Sequence, residues 1–176
     1  KETLRSYETG FKSSLFDGRA RLNASIFYYD YSDFQTFKFT RFSSAIFNSD
    51  AEVYGGEMEL QANVTRNLDL MLGVSVLNAT AKEVPTPATS VNRRVDMVAA
   101  PDVTANAMLR YQWPLFNGSM AAVASVYYQD DTWYDIQNFD TSRAPGYVVG
   151  NLYLKWTSES DKWMAAAFIN NVADKE

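Results

Sequence analysis

Glu57 and Glu59, two residues apart, are the nearest this chain comes to a paired-carboxylate site. On an extended backbone, residues i and i+2 share a face, so both could meet one substrate. A glycosidase pair normally reaches across a cleft from different strands. Here both carboxylates lie opposite the Tyr54, Met58 and Leu60 face, where solvation is the simpler role. Gly55-Gly56 lacks the following helix and the Lys-Ser/Thr of a phosphate-cradling loop; a strand-interior glycine marks a bulge, a bend or a close approach. Arg93-Arg94, with Lys38 and Arg41 earlier in the chain, offers guanidinium forks suited to carboxylates or catecholates, or simply solvated loop charge. Trp133, Tyr134 and Phe139, like Phe37, Phe39 and Phe42, would either clasp a flat ligand or pack on one another. Asp130, Asp131, Asp135 and Asp140 lack the spacing and glycine of a calcium loop. The Asn-x-Ser/Thr triplets at Asn23, Asn63, Asn78 and Asn117 lie mostly in or beside strands and read as chance. With no histidine and no cysteine, Ser-His and Cys-His nucleophiles, imidazole or thiolate metal sites and disulfides are all excluded. No catalytic residue, metal or cofactor is expected.

Composition narrows the class further. The chain has 176 residues, enough for one ordinary domain. It is 47% hydrophobic, yet its mean hydropathy is -0.28 and no 18-residue apolar run occurs, which excludes a transmembrane helix. Sixteen basic against 21 acidic residues give net charge -5, unlike a nucleic-acid surface. Aromatic residues reach 15%, and they need somewhere to go.

The elements that would position these residues follow a period of two rather than 3.6. Ala20, Leu22, Ala24, Ile26 and Tyr28 alternate with polar residues; so do Leu68, Leu70, Leu72, Val74 and Val76, and Val103, Ala105, Ala107, Leu109, Tyr111 and Trp113. Each run has one apolar and one polar face. Tight-turn signals stand at Asp17-Gly18, Arg66-Asn67, Asn117-Gly118 and Glu159-Ser160. Longer connections lie around Lys38–Asp50, Glu83–Ala100 and Asp130–Pro145. The pattern predicts an all-β, antiparallel, up-and-down array. Its strands are expected near Leu4–Phe16, Arg19–Phe37, Ala45–Val64, Leu68–Lys82, Asp102–Leu115, Ser119–Tyr134, Gly146–Thr157 and Lys162–Asn170. Such long strands exceed the usual globular mode of about five or six residues. Short turns on one rim and long loops on the other match membrane barrels. Trp113, Trp156 and Trp163 near the tight turns, with Tyr28, Tyr29, Tyr127 and Tyr128 toward the loops, suit two interfacial belts. Rival readings are a self-contained eight-stranded outer-membrane barrel (a small enzyme or adhesin) and a soluble β-sandwich binding module.

Four stretches carry a family resemblance. Ser6-Tyr7-Glu8-Thr9-Gly10-Phe11-Lys12-Ser13 with Leu15-Phe16-Asp17-Gly18-Arg19 resembles the "YE-x-GFK-S…LFDGR" hairpin of TonB-dependent outer-membrane receptors. Leu22–Tyr31 is similar to the strand that follows it, and Val53-Tyr54-Gly55-Gly56-Glu57-Met58-Glu59-Leu60 to their "YGGE-x-E" strand. Phe168–Glu176 resembles the "NL-x-DKEY" element, with Val172 where Leu is common. The resemblance implies that residues 1–176 are part of the C-terminal β-barrel, without plug domain or last strand, from a barrel of about 22 strands. About eight strands would then form an open, curved sheet. Glu8, Lys12, Asn23, Ser25, Glu57, Glu59, Gln61, Asn106 and Arg110 are too small or too charged to fill a closed barrel. The implied function is uptake of a scarce ligand such as a ferric siderophore across the outer membrane, energised by TonB–ExbB–ExbD through the plug. Expected partners are outer-membrane lipid, the plug, and a metal chelate or other small nutrient; nucleic acid is not among them. Lys38, Arg41, Arg93, Arg94, Trp133 and Tyr134 are then the candidate extracellular ligand contacts, and Glu8, Glu57 and Glu59 face the lumen.

Overall fold

In a computed structural model of the chain, residues 1–39, 44–85 and 92–175 are described. In order they form β1 (Thr3–Leu15), β2 (Ala20–Phe39), β3 (Ser44–Asn63), β4 (Leu68–Pro85), β5 (Asn92–Asp96), β6 (Val103–Pro114), β7 (Gly118–Gln129), β8 (Thr132–Trp133), β9 (Arg143–Ala144), β10 (Tyr147–Ser158) and β11 (Met164–Ile169). A single 3-10 turn at Asp140–Ser142 is the only helical element among the described residues. The main sheet runs β1-β2-β3-β4-β6-β7-β10-β11, with β5 attached to β4, and β8 and β9 pair separately. All pairings are antiparallel. β1 and β11 end the path without pairing to each other, so the sheet is open, as the polar inner-face composition required.

Register explains the two faces. One cross-strand row reads Phe11, Ala24, Met58, Val74, Ala105, Tyr128, Val148. The adjacent row reads Lys12, Asn23, Glu59, Gly73, Asn106, Tyr127, Val149. Since paired residues share a face and neighbours alternate, the first row is outward and apolar, the second inward and mostly polar. Outward side chains such as Ile26, at 63% exposed, have no protein over them. Tyr7, Tyr28 and Tyr54 form a further outward row toward the loop rim, and Trp113 and Trp156 share the outward face with Met120 at the opposite rim. The expected belts divide by parity: Tyr29 and Tyr127, adjacent to outward Tyr28 and Tyr128, face inward.

Several expected boundaries are corrected. Within the expected connection Lys38–Asp50, the described residues 38–39 and 44–50 are strand: β2 and β3 each run 20 residues, about twice what a tilted strand needs to cross a bilayer. The hairpin therefore continues beyond the membrane, with a bulge between Tyr31 and Phe34. Asp33 takes φ 58° there. The expected connection Glu83–Ala100 contains β5. The strand drawn to Tyr134 stops at Gln129, and β8 and β9 make a small hairpin within the last loop. Local polarity hides these excursions, because strands standing in water on both faces lose the apolar alternation. β11 is also shorter than Lys162–Asn170.

Inward glycines let the strands approach closely. A Cβ on Gly55 would lie 2.3 Å from the Val76 carbonyl oxygen and 2.9 Å from Phe27 Cζ. Phe27 pairs with Gly55 directly, so its ring covers the bare backbone and stacks on Tyr29 at 5.2 Å. A Cβ on outward Gly56 would meet nothing nearer than 3.3 Å. Gly55→Ala should therefore destabilise the full-length barrel by about 1–3 kcal/mol through overpacking, and Gly56→Ala much less. Urea unfolding of both variants from bilayers checks this; equal effects would contradict the face assignment.

Candidate functional site

The sequence-derived candidates divide between two places. Glu8, Glu57 and Glu59 all point inward. Glu59 accepts hydrogen bonds from Asn23 Nδ2 at 3.2 Å and Gln61 Nε2 at 3.1 Å, and Glu8 accepts one from Tyr29 Oη. With Lys12, Asn106 and Tyr127, Glu57 and Glu59 line a concave depression of about 590 Å³. The arrangement is that of a hydrogen-bonded polar wall rather than a general-acid pair.

The remaining candidates belong to the loop rim, where the protein has its one buried cluster among the described residues. Ala81, Val84, Val95 and Ile136 pack together, with Phe47 against them. Ala51, Ala81 and Val95 lie in one register row on the inward face, so the β7–β10 connection folds inward over the mouth of the wall. Ile136 is the apolar peg that brings it there. Polar contacts then fasten it. The Asp96 amide donates to Asn138 Oδ1 at 2.8 Å and Asn138 Nδ2 donates back to the Asp96 carbonyl at 3.0 Å. Trp133 Nε1 donates to Asp96 Oδ2 at 3.2 Å, and buried Gln137 donates Nε2 to the Pro85 carbonyl at 3.3 Å. Arg93 donates to the Gln137 carbonyl. Asn138 occupies φ 49°, which a short amide side chain tolerates.

Arg93 thus staples two connections together. Arg94 alternates to the outer side, where it bonds Glu52 Oε2 at 2.6 Å beside Lys82. Lys38 stands near the end of β2, and Arg41 and Phe42 lie outside the described residues. Trp133 sits in β8 beneath the Arg143 guanidinium, 5.6 Å from its ring centroid, a cation–π geometry. Tyr134 follows it, 66% exposed. Sequence reasoning missed Arg143, Ile136, Gln137 and Asn138, and weighed Asp131 only as a calcium ligand; an apolar Ile136 amid polar residues was the available signal.

Arg143 Nε donates to Asp131 Oδ2 at 2.6 Å, and this bond holds the Asp131 carboxyl below its ordinary range. Asp102 shifts the other way, raised by burial and then by the charges of Asp96, Asp130 and Asp131. A depressed Asp131 supports the hairpin at neutral pH and loses that support only as pH falls through its lowered folded value. Asp102, with its raised value, takes up its proton first, which relieves repulsion. Amide protection factors across 130–146 should hold or rise on mild acidification, then fall below the usual aspartate range; a fall beginning near pH 6 would contradict the pairing. At neutral pH, Asn138→Ala should cost about 1–3 kcal/mol locally, speeding exchange at the Ala99 and Tyr134 amides without touching the β7–β10 ladder.

Residues 1–172 match the family described as TonB dependent receptor-like, beta-barrel. Among solved structures, the ferric yersiniabactin uptake receptor FyuA from Yersinia pestis aligns with TM-score 0.78 and 17% identity over 99% of this chain and 25% of that one. The siderophore receptor PiuA from Acinetobacter baumannii aligns with TM-score 0.76 and 19% identity over 98% and 24%. The copper transporter OprC gives TM-score 0.71 and 17% identity over 99% and 25%. The chain therefore spans about a quarter of the length of these structures.

Proposed function

The chain belongs to the TonB-dependent receptor β-barrel family of the outer membrane, and from that premise we propose that it is wall and extracellular loops of an active-transport receptor for a metal chelate such as a ferric siderophore. The observation that carries the reading is the inward-folded rim. A rim cap presenting Tyr134 and the Trp133–Arg143 stack above a polar wall suits capture of a flat, anionic chelate. Lys38, near the end of β2, adds positive charge, and Arg41 is a further cation of the sequence. Arg93 contributes by holding the cap, and Arg94 faces away from the lumen. Glu8, Glu57 and Glu59 offer carboxylates to a plug domain inside the barrel, and through the plug the TonB–ExbB–ExbD complex supplies energy. No catalytic step is part of this function.

Neither rival has a supporting observation. Closure at eight strands would join β1 to β11, and a sandwich would cover the apolar face with a second layer; among the described residues the second sheet is only the β8–β9 hairpin.

Cells whose sole receptor is the full-length protein should accumulate one member of a panel of ferric and cupric chelates. Uptake should stop when the inner-membrane proton gradient is dissipated. Gradient-independent uptake, or none across the panel, would refute the reading. Trp133→Ala with Tyr134→Ala should weaken surface binding about tenfold, as loss of about 1–2 kcal/mol of stacking implies. Arg41→Ala should weaken it less, with a deficit that shrinks as salt rises. Glu57→Gln with Glu59→Gln should leave surface binding intact.

A further inference from the structure

Toward the loop rim the inward face of β2 becomes aromatic. Phe27 pairs with Gly55, Tyr29 with Val53 and Tyr31 with Ala51. All three face inward, because Ala51 shares the row of Ala81 and Val95. Phe27 and Tyr29 stack at 5.2 Å with their planes 22° apart. Phe34 stands three residues beyond Tyr31, so simple alternation would turn it outward. The bulge prevents this. Between the pairs Tyr31–Ala51 and Phe34–Ser49, two residues of β2 lie opposite one of β3. Phe34 thereby returns to the inward side, with its ring 5.3 Å from that of Tyr31. The extra residue has left-handed backbone: Asp33 takes φ 58°, and its amide donates to Asp50 Oδ1 at 3.1 Å. Bulges that re-aim a side chain are features of function rather than defects.

Four rings in two pairs thus climb one strand, at about 7 Å per inward step. Their polar edges are already engaged. Tyr29 Oη donates to Glu8 and Tyr31 Oη to Glu2 Oε2 at 2.8 Å, while Glu2 Oε1 accepts the Gln35 amide at 2.9 Å. Each phenol has spent its one proton. What the pairs still offer a ligand is acceptors, the phenol lone pairs and the second Glu8 oxygen. Arg5, level with the rings, and Lys82 turn outward to Asp30, at 4.0 Å each. Such a surface does not suit an anion. It suits a ring with a bare face to stack and hydroxyl protons around its edge.

We propose that Phe27, Tyr29, Tyr31 and Phe34 form a stacking subsite on the inner wall for a neutral hydroxylated ring, with Glu8 accepting its hydroxyl protons. A sugar ring and a catechol share this chemistry. The subsite goes beyond the capture role of the rim cap and has the opposite charge preference, since carboxylates rather than a guanidinium border its rings.

The test titrates the full-length receptor in nanodiscs at neutral pH with two neutral probes, methyl glucoside and catechol. Each is matched by its carboxylate counterpart, methyl glucuronide or protocatechuate. At least one neutral probe should bind; catechol alone would identify an aromatic ring and the glucoside alone a sugar. Whichever binds should do so several-fold tighter than its carboxylate counterpart. Phe27→Ala with Phe34→Ala should weaken that binding several-fold, whereas Trp133→Ala with Tyr134→Ala should leave it unchanged. Glu8→Gln keeps the rings and should narrow the preference for the neutral probe, so the charge argument is tested without removing any aromatic side chain. Binding of neither neutral probe, equal affinity for the carboxylates, or loss in the cap variant rather than the wall variant would each overturn the proposal. None of these readouts uses chelate uptake, so failure here leaves the transport function standing.

Discussion

In a wall that faces lipid, each backbone N–H and C=O must find its partner on the neighbouring strand, because the bilayer core offers none. Everything else in this protein is arranged around that ladder. It fixes the antiparallel order and makes face a matter of parity. A row of Phe11, Ala24, Met58 and Val74 can lie one residue from a row of Lys12, Asn23, Glu59 and Gly73 only because the pleat separates them. The sheet therefore needs no hydrophobic core of its own. Bilayer lipid takes the place a second protein layer would take in a sandwich.

Departures from ordinary strand composition serve the same ladder. Gly55 allows the Val76 carbonyl to approach, and Phe27 covers the glycine so that the inner surface is not left bare. Gly118 does comparable work on the outer face, where Trp156 crosses it and caps the Leu115 carbonyl. In both cases the glycine's value is the absence of a Cβ next to a large ring, rather than the turn its neighbours in sequence suggest.

Beyond the membrane the constraint lifts and another replaces it. There the chain meets water on both faces, so the loop rim builds a small core from Ala81, Val84, Val95 and Ile136. Its polar fastenings, Asn138 with Asp96 and Arg93 with Gln137, turn two connections into one body. Arg93, a candidate ligand contact from its position in a loop, also links the two connections.

The sequence by itself determined the class. Alternation at Ala20–Tyr28, Leu68–Val76 and Val103–Trp113, tight turns on one rim and the motifs around Tyr7, Tyr54 and Asn171 were enough for an open antiparallel barrel wall and its family. They also placed Glu57 and Glu59 on the face opposite Tyr54, Met58 and Leu60, since parity is local information. What only the tertiary structure decided was where strands leave the bilayer and what the loops do. Lys38 and Asp50 looked like loop because a strand in water carries no one-sided pattern. The inward fold of Ile136 onto Ala81, Val84 and Val95, and the groups that Arg93 and Arg94 meet, Gln137 and Glu52, are set by residues about forty or more positions away. Local spacing encodes which face a residue takes on its own strand; it does not encode which distant group will be waiting there.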